Sequence, residues 1–520
     1  MSASVITPML TESDLVEMSL EGAAAAFARG ITAEELTKAF LERIAFYNPR
    51  YNAIITMNPT ALDDAREIDR QRAVGEKLGP LAGVPVVIKD TMDMAGLPTT
   101  AGWHFLSSKA GGVDLIPETD SPVVARMKAA GCVILGKTNV PILSATGTHA
   151  SNSWAGPTLN AAAPDRMPGG STAGTATAVA ASMAVLGLAE ETGGSIQNPA
   201  SAQALVGIKP TFALVPNAGV VPLAGSTRDV VGPIARSVRD AALTLDVIAG
   251  YSSEDPKTVA GIGKRPKGGY ASKLSTTALQ GKRLGLYGPG WRNHSLSEEC
   301  TALYKHAQEE IAARGATLLE DPFAGSGFAA IGKPISETYH FDARGMECCP
   351  YDMELYLRRL GPSATIKDYK TLADITKSED PYGHDGVLTY MNCLPETEFS
   401  KQHPTMPPPL TEFVSAREAY LEIIEEVFAK HQLDGLVFPQ MCNELPFLNS
   451  NGVIDETTVS EINIAGVPVV TVPAGYYVSG APFNLVFVGK LWCEADLLAL
   501  AYDYEKATNH RKAPALSAQG

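Results

Sequence analysis

The sequence predicts an α/β fold in which helices surround a largely parallel or mixed β-sheet. Patterns typical of strands and of helices alternate along most of the 520 residues, and such alternation is typical of α/β proteins. Apolar residues make up 45% of the chain and charged residues 19%. These proportions belong to an ordinary globular protein with a large core.

The first hundred residues begin with helices and then enter the sheet. A capping box at residues 32–35 starts a helix with one apolar face. The side chains on that face are Leu36, Phe40, Ile44 and Tyr47. Residues 58–60 start a second, polar helix. The β-branched run over residues 83–89, bounded by Gly and Asp, then predicts a strand.

Further elements follow from Ser121 onward. Ser121-Pro122 opens a helix that Gly131 closes, and residues 132–135 predict a short buried strand. The other predicted helices cover residues 172–186, 237–249, 298–313 and 493–507. The other predicted strands cover residues 284–287, 435–438, 467–472 and 485–488. The proline-rich run at residues 403–409 predicts an extended loop.

Charge and cysteine usage exclude several kinds of partner and site. The net charge of −15 argues against nucleic acid, because polyanion binding needs clustered Lys and Arg. The seven cysteines are irregularly spaced and include no C-x-x-C pair. Neither a zinc site nor a disulfide framework is therefore indicated, and reduced thiols favour a cytoplasmic location.

No segment predicts a secretory signal or a membrane span. Residues 1–10 lack a basic stretch followed by an apolar core. Of three long uncharged runs, those at residues 138–164 and 167–189 consist mostly of small and polar residues, and prolines interrupt the third, at 462–489. For residues 167–189 we expect a buried helix that is packed closely through small side chains.

Two Gly-Gly-Ser segments are the most informative local feature. They are Gly169-Gly170-Ser171 and Gly193-Gly194-Ser195. Glycine allows the backbone to approach a ligand closely and to direct several N–H groups at one point. This arrangement suits acyl transfer, in which a serine attacks a carbonyl carbon and backbone donors bind the oxyanion.

A neutral serine needs a base, and the sequence favours a lysine. No histidine lies in a convincing triad arrangement, no G-x-S-x-G motif is present, and the nine histidines lack metal-ligand spacing. Lys89 ends the predicted strand at residues 83–89. Burial there would lower the pKa of Lys89 and favour a neutral amine that accepts a proton.

These residues resemble the amidase signature family. Its pattern is roughly Gly-Gly-Ser-Ser-Gly-Gly, an Ala-rich helix, then Gly-Thr-Asp-Thr-Gly-Gly-Ser-Ile-Arg, with a lysine on an upstream strand. Similar stretches in family order lie at residues 95–102, 136–139, 232–236 and 495–498. The likeness is weak only between about residues 322 and 409. It implies one large mixed sheet wrapped by helices, and chemistry without a metal or an organic cofactor.

The resemblance also implies the roles of the site residues. Ser195 matches the nucleophile, Ser171 the bridging serine that follows a cis Gly170–Ser171 peptide bond, and Lys89 the base. The N–H groups that match the oxyanion hole are those of Thr192, Gly193, Gly194 and Ser195. In other hydrolases each such donor contributes about 3–4 kcal/mol.

Several positions depart from the family pattern, and none of them removes a proposed catalytic group. Thr172 replaces a serine, Ala173 a glycine and Glu191 the usual aspartate. Gln197 stands where arginine is common, and Asn198 follows it. Without a cation there, we expect a neutral substrate and no free carboxylate. The residues assigned to support or to the substrate side are Gly170, Thr172, Glu191, Gln197 and Asn198.

Three other patterns receive weaker functional interpretations. Residues 131–138 fit G-x-x-x-x-G-K-[ST], but their variable positions indicate a strand and not a phosphate-binding turn. The Cys348-Cys349 pair is interpreted as buried cysteine and not as a reactive thiol site. The aromatic residues assigned equally to a substrate pocket or to core packing are Trp103, Trp154, Tyr339 and Phe341.

Length alone suggests about three domains, but the spread of the motifs favours one amidase domain over residues 1–520. Within it, residues 1–75 form a helical segment on the core, and residues 323–409 form an elaborated substrate-side region. The function indicated is that of a stand-alone amidase that converts a small neutral carboxamide, through a Ser195 acyl-enzyme, to a carboxylic acid and ammonia or an amine. Anilides, esters and carbamates, and a homodimer, stay open.

Three alternatives remain at this point. An A-type subunit of a glutamine-dependent tRNA amidotransferase shares the motifs, but the chain lacks a strongly basic patch. Allophanate hydrolase acts on an anionic urea derivative, which Gln197 disfavours. A catalytically silent binding protein is disfavoured by the presence of Lys89, Ser171 and Ser195.

Overall fold

The β-branched runs of the sequence pair into one mixed sheet, as the computed structural model of the protein shows. The structure describes residues 10–336 and 341–518. The eleven strands of this described part are β1 (Ile54–Met57), β2 (Pro85–Lys89), β3 (Val133–Thr138), β4 (Leu186–Glu191), β5 (Val206–Lys209), β6 (Val230–Ala235), β7 (Arg283–Leu286), β8 (Thr317–Leu319), β9 (Gly435–Pro439), β10 (Val469–Tyr476) and β11 (Pro482–Val488). The predicted α/β fold class is confirmed.

The strand order places the N-terminal and C-terminal halves of the chain side by side in the sheet. That order is β1-β3-β2-β4-β6-β5-β10-β11-β9-β7-β8. The pairs of β2 with β3 and β4, and of β7 with β8 and β9, are parallel. The other pairs are antiparallel. As a result, β2 and β4 are neighbours whose carboxyl ends meet at one edge of the sheet.

Fifteen α-helices accompany the sheet in the described residues. They are α1 (Glu12–Leu15), α2 (Leu20–Ala28), α3 (Ala33–Tyr51), α4 (Ala61–Ala73), α5 (Pro122–Ala129), α6 (Ala173–Ala180), α7 (Gln197–Ala202), α8 (Val238–Ile248), α9 (Glu298–Ala313), α10 (Cys349–Arg359), α11 (Tyr369–Ile375), α12 (Pro395–Gln402), α13 (Thr411–His431), α14 (Ser460–Ala465) and α15 (Glu494–Thr508). None of the described helices is both long and apolar enough to cross a bilayer.

Most of the predicted elements are confirmed within one to four residues at their ends. The exception is the helix predicted over residues 172–186, which is wrong in its second half. Helix α6 ends at Ala180, and Leu186 begins β4. The two elements pack so closely that a Cβ on Gly187 would lie 2.4 Å from Thr175 Cγ2. Small residues allow this close packing in the helix and in the strand. The amino-acid composition of the run therefore did not indicate where the helix ends.

Strands β1, β4, β5, β6 and β8 were not predicted. Each is short, with between three and six residues, and a run of that length shows little periodicity of its own. Their positions in the sheet come from tertiary pairing, as β4 shows by lying between β2 and β6.

The motif at residues 131–138 is part of the sheet, as the sequence indicates. Its last six residues form strand β3, and Lys137 is fully buried. The Lys137 ammonium donates to the Pro98 carbonyl at 2.9 Å and to Thr99 Oγ1 at 2.7 Å, and it lies 3.1 Å from Asp90. Internal partners therefore occupy this lysine.

Helix α3 attaches the N-terminal segment to the core. Thr32 and Glu35 form the predicted capping box. Leu36, Phe40 and Ile44 are buried in the same apolar cluster as Val86 of β2. This packing supports the prediction that the segment lies on the core.

We expect Phe40→Ala to destabilise the protein by about 3–5 kcal/mol, because it removes a fully buried ring and leaves a cavity. Thermal or chemical unfolding followed by circular dichroism measures the loss. The matched control is Phe46→Ala on the same helix, where the ring is 61% exposed and the change should be small. Equal losses in the two variants would contradict the packing of α3.

Candidate active site

Lys89 lies at the carboxyl end of β2, and its side chain is fully buried. Its Nζ donates to Ser171 Oγ at 2.7 Å, to the Glu190 carbonyl at 3.1 Å and to Glu190 Oε2 at 2.6 Å. The predicted burial is therefore confirmed. The prediction considered desolvation alone, whereas the structure adds a carboxylate oxygen 2.6 Å from the Lys89 nitrogen.

Ser171 and Thr172 lie between Lys89 and the end of β4. The Gly170–Ser171 peptide bond is cis, as the resemblance implies. The Gly170 amide donates to the Gly147 carbonyl at 2.9 Å, and Thr172 Oγ1 donates to the Glu190 carbonyl at 3.2 Å. Gly170 and Thr172 therefore hold Ser171 from both sides, as expected of supporting residues.

Residues 192–195 form a loop that follows β4 directly. Within the described part of the chain, the amides of Thr192, Gly193, Gly194 and Ser195 donate to no protein oxygen. Ser195 is buried except for 3% of its surface, and it faces a cavity that Thr192 and Gly193 also line. The loop thus presents a hydroxyl and a set of uncommitted N–H donors to the same space.

Glu191 fixes the chain immediately after this loop. Its Oε2 accepts from the amides of Ile196 at 2.8 Å and Gln197 at 3.2 Å. Its Oε1 accepts from Gln197 Nε2 at 2.6 Å and from Asn463 Nδ2 at 3.1 Å. A carboxylate that accepts several N–H bonds holds its donors firmly, so Glu191 is a supporting residue.

Gln197 and Asn198 also act as supports. Gln197 is fully buried and bonds to Glu191 and Thr458. Asn198 Nδ2 donates to the Gly147 carbonyl at 3.1 Å and to Glu456 Oε1 at 2.7 Å. Because Gly147 also accepts from the Gly170 amide, Asn198 ties the two Gly-Gly-Ser segments together.

The cavity in front of Ser195 has a volume of about 340 Å³. One part of its wall is apolar or aromatic and contains Leu223, Phe341, Met346, Tyr390 and Val459. Phe341, Met346 and Tyr390 belong to residues 323–409, for which a substrate-side position stays a prediction. The lining also contains the charged residues Arg292, Asp455 and Glu456.

Arg292 is a cation that the sequence analysis did not place near the substrate. Its Nη1 lies 3.5 Å from Glu461 Oε2. Burial raises the pKa of Glu456 to about 7, although the hydrogen bond from Asn198 opposes the rise. Three carboxyl groups therefore accompany one guanidinium, so this wall carries no excess of positive charge. No sequence pattern predicted Arg292 at the cavity, because the residue is far in sequence from both Gly-Gly-Ser segments.

Glu190 is the second residue that sequence reasoning missed. It pairs with Lys89 inside the protein, where the two side chains are 1% and 0% exposed. A signal did exist, because the family pattern has threonine at the position that Glu190 occupies.

The predictions for the aromatic residues and for the cysteine pair have different outcomes. Phe341 lines the cavity, whereas Trp103 belongs to the neighbouring apolar cluster and Trp154 donates to Thr100 Oγ1 at 2.8 Å. Tyr339 lies outside the described residues. Cys348 and Cys349 are buried, as the sequence analysis interpreted them, and burial raises the pKa of both thiols.

One group of described side chains has the spacing of metal ligands. His294, Cys442 and Asp455 offer ligand atoms within 4.8 Å of one another. His294 Nδ1 already lies 2.9 Å from Asp455 Oδ1, and burial raises the pKa of the Cys442 thiol. We assign no metal to this group.

Comparison with known proteins gives three close likenesses. The chain is 32% identical to the A-type subunit of the glutamyl-tRNA(Gln) amidotransferase of Moorella thermoacetica, over 94% of this chain and 96% of that protein. It is 30% identical to a probable amidase of Arabidopsis thaliana, over 99% and 94%. The crystal structure of the native peptide amidase from Stenotrophomonas maltophilia matches with a TM-score of 0.79 and 30% identity, over 96% and 98%.

The family model named Amidase matches residues 35–326, a stretch that contains Lys89, both Gly-Gly-Ser segments and Glu191. With this match and these relatives, the chain belongs to the amidase signature family, whose members are amide hydrolases or amidotransferases, and it is an enzyme of amide-bond chemistry.

Proposed function

We propose that the protein is a stand-alone amidase that hydrolyses a small neutral carboxamide through a Ser195 acyl-enzyme. The observation that carries the proposal is the contact of Lys89 with Ser171 at 2.7 Å, beside a cavity that Ser195 faces. Esters, anilides and carbamates follow the same acyl chemistry.

In the proposed reaction, Ser195 Oγ attacks the amide carbon and gives its proton to Ser171 as Ser171 gives its own to Lys89. This requires Lys89 to enter the cycle as a neutral amine. The amides of residues 192–195 donate to the oxyanion, which is the task of uncommitted N–H groups in such a site. The proton then returns through Ser171 to the leaving nitrogen, and water hydrolyses the acyl-enzyme by the same relay.

The cavity supports a substrate with an apolar acyl group and no free carboxylate. Leu223, Phe341 and Met346 of the lining offer apolar contact. The carboxyl groups around Arg292 would repel an anionic substrate. Specificity of this kind combines an apolar lining with a few polar groups, as is usual in small-molecule sites.

We further propose that the chain works as one amidase domain in the cytoplasm. The single sheet, to which both halves of the chain contribute strands, supports the first part. Seven free cysteines, six of them buried or half-buried, support the second, because such thiols suit a reducing compartment.

A second candidate is the A-type subunit of a tRNA amidotransferase. It is favoured by the likeness to the Moorella thermoacetica protein, which bears that name and matches along 94% of this chain. The two candidates differ in whether the purified chain acts alone.

We expect the purified chain to release ammonia or amine from simple apolar carboxamides without any other protein. Mass spectrometry of a panel of amides, anilides, carbamates and glutamine measures the products. Hydrolysis confined to glutamine, and only after partner proteins of an amidotransferase complex have been added, would favour the second candidate instead.

Ser195→Ala should abolish both turnover and labelling by a fluorophosphonate, since the probe reacts with an activated serine. Lys89→Ala should lower kcat by several orders of magnitude, and Ser171→Ala by somewhat less, because a water molecule can bridge. The matched control is Ser201→Ala, a buried serine on α7 that should keep both properties. Near-normal rates in Lys89→Ala at neutral pH would refute the proposed base.

Phe341→Ala should lower kcat/KM for an amide with a large apolar acyl group about ten-fold more than for acetamide, because the larger group loses contact with the ring. Phe105→Ala, in the neighbouring apolar cluster, should affect both substrates by the same factor. If the ratio of the two kcat/KM values does not change in Phe341→Ala, the acyl group does not contact this wall.

A further inference from the structure

The buried pair of Lys89 and Glu190 has a geometry that determines where the ammonium points. An ammonium group has three N–H donors, and Glu190 accepts two of them, at its carbonyl (3.1 Å) and at Oε2 (2.6 Å). The third reaches Ser171 Oγ at 2.7 Å. With two of its directions held by one residue, Nζ is aimed at Ser171.

A second carboxyl group supports Glu190 from behind. Thr192 Oγ1 lies 3.1 Å from Glu190 Oε1 and 2.5 Å from Asp229 Oδ1. The Thr192 hydroxyl therefore bridges the two carboxyl groups. Burial and the charge of Glu190 raise the pKa of Asp229 to about 7. The array therefore runs from Asp229 through Thr192 and Glu190 to Lys89.

The charge of Glu190 has a consequence for the base. When Lys89 loses a proton, the Glu190 carboxylate remains buried without its cation, and an unpaired buried charge is unfavourable. The other charged groups near this array are Asp229, Asp352, whose charge acts on Asp229, Arg228, whose Nε donates to the Thr192 carbonyl at 3.2 Å, and Asp90, which follows Lys89 and is paired with Lys137. None of these three carboxyl groups contacts the Lys89 ammonium, so the charge of Glu190 has the largest effect on it.

We propose that Glu190 is a positioning residue for the amide hydrolysis proposed above: its carboxylate, supported by Thr192 and Asp229, aims Lys89 at Ser171 and sets the pH above which Lys89 acts as a base. The inference rests on the proposed function. The threonine that the family pattern has at this position carries no charge, so the carboxylate control belongs to this chain.

The test is the pH dependence of kcat/KM in Glu190→Gln. Glutamine keeps the size of the side chain and one oxygen acceptor but removes the charge. Without the anion, Lys89 becomes neutral at lower pH, so the acid limb of the pH profile should shift by about one to three units toward lower pH. The maximal rate should also fall, because the amide binds the lysine less firmly.

Two further variants separate this effect from general damage. Glu494→Gln neutralises another fully buried glutamate, which accepts from the Thr211 amide at 2.7 Å, and it should leave the acid limb unmoved. Asp229→Asn removes the supporting carboxyl group without touching Lys89, and it should move the limb in the same direction by a smaller amount.

An acid limb in Glu190→Gln that coincides with that of the wild type, or that moves to higher pH, overturns the inference. If Glu190→Gln does not fold, Asp229→Asn decides by the same criterion. A wild type without any hydrolase activity would refute the proposed function separately. The inference is then tested by NMR titration of the Lys89 side chain, assigned by its loss in Lys89→Met, in wild type and Glu190→Gln.

Discussion

The arrangement of this site depends on the burial of one ammonium group at the meeting point of two parallel strands. Lys89 ends β2 and Glu190 lies near the end of β4, and the two strands are neighbours in the sheet. A buried charge needs a partner and full hydrogen bonding. Glu190 and Ser171 supply both.

The loop after β4 shows how the fold places N–H donors without closing them off. Among the described residues, its four amides have no protein acceptor, and other groups hold the chain in place around them. Glu191 binds the backbone that follows, and Arg228 Nε donates to the Thr192 carbonyl at 3.2 Å. The rigidity of the loop thus comes from its flanks, and its N–H groups are free to face the cavity. Preorganisation of this kind is what stabilises developing charge.

The sequence was sufficient to predict the class of fold and the three residues of the proposed relay, but not the environment of the relay. Lys89, Ser171 and Ser195 lie in motifs that are local in sequence, with glycine required by backbone geometry, as at Gly194 with φ +88°. Glu190, Asp229 and Arg292 act through contacts between distant segments. No periodicity or spacing records such contacts. The first residues of β4, 186–189, also fell within the buried helix expected over residues 167–189, because the small residues of that run suit either structure.

The difference between local motifs and contacts of distant segments also affects how this chain selects its substrate. The absence of arginine at position 197 suggested a site without a cation, yet Gln197 points into the protein, where it bonds to Glu191 and Thr458. The cation of the cavity comes from Arg292, and its neighbours Asp455, Glu456 and Glu461 offset its charge. The expectation of a neutral substrate therefore keeps its support for a different reason. A single position does not decide the charge that a substrate meets, because the balance of charge over the whole cavity wall does.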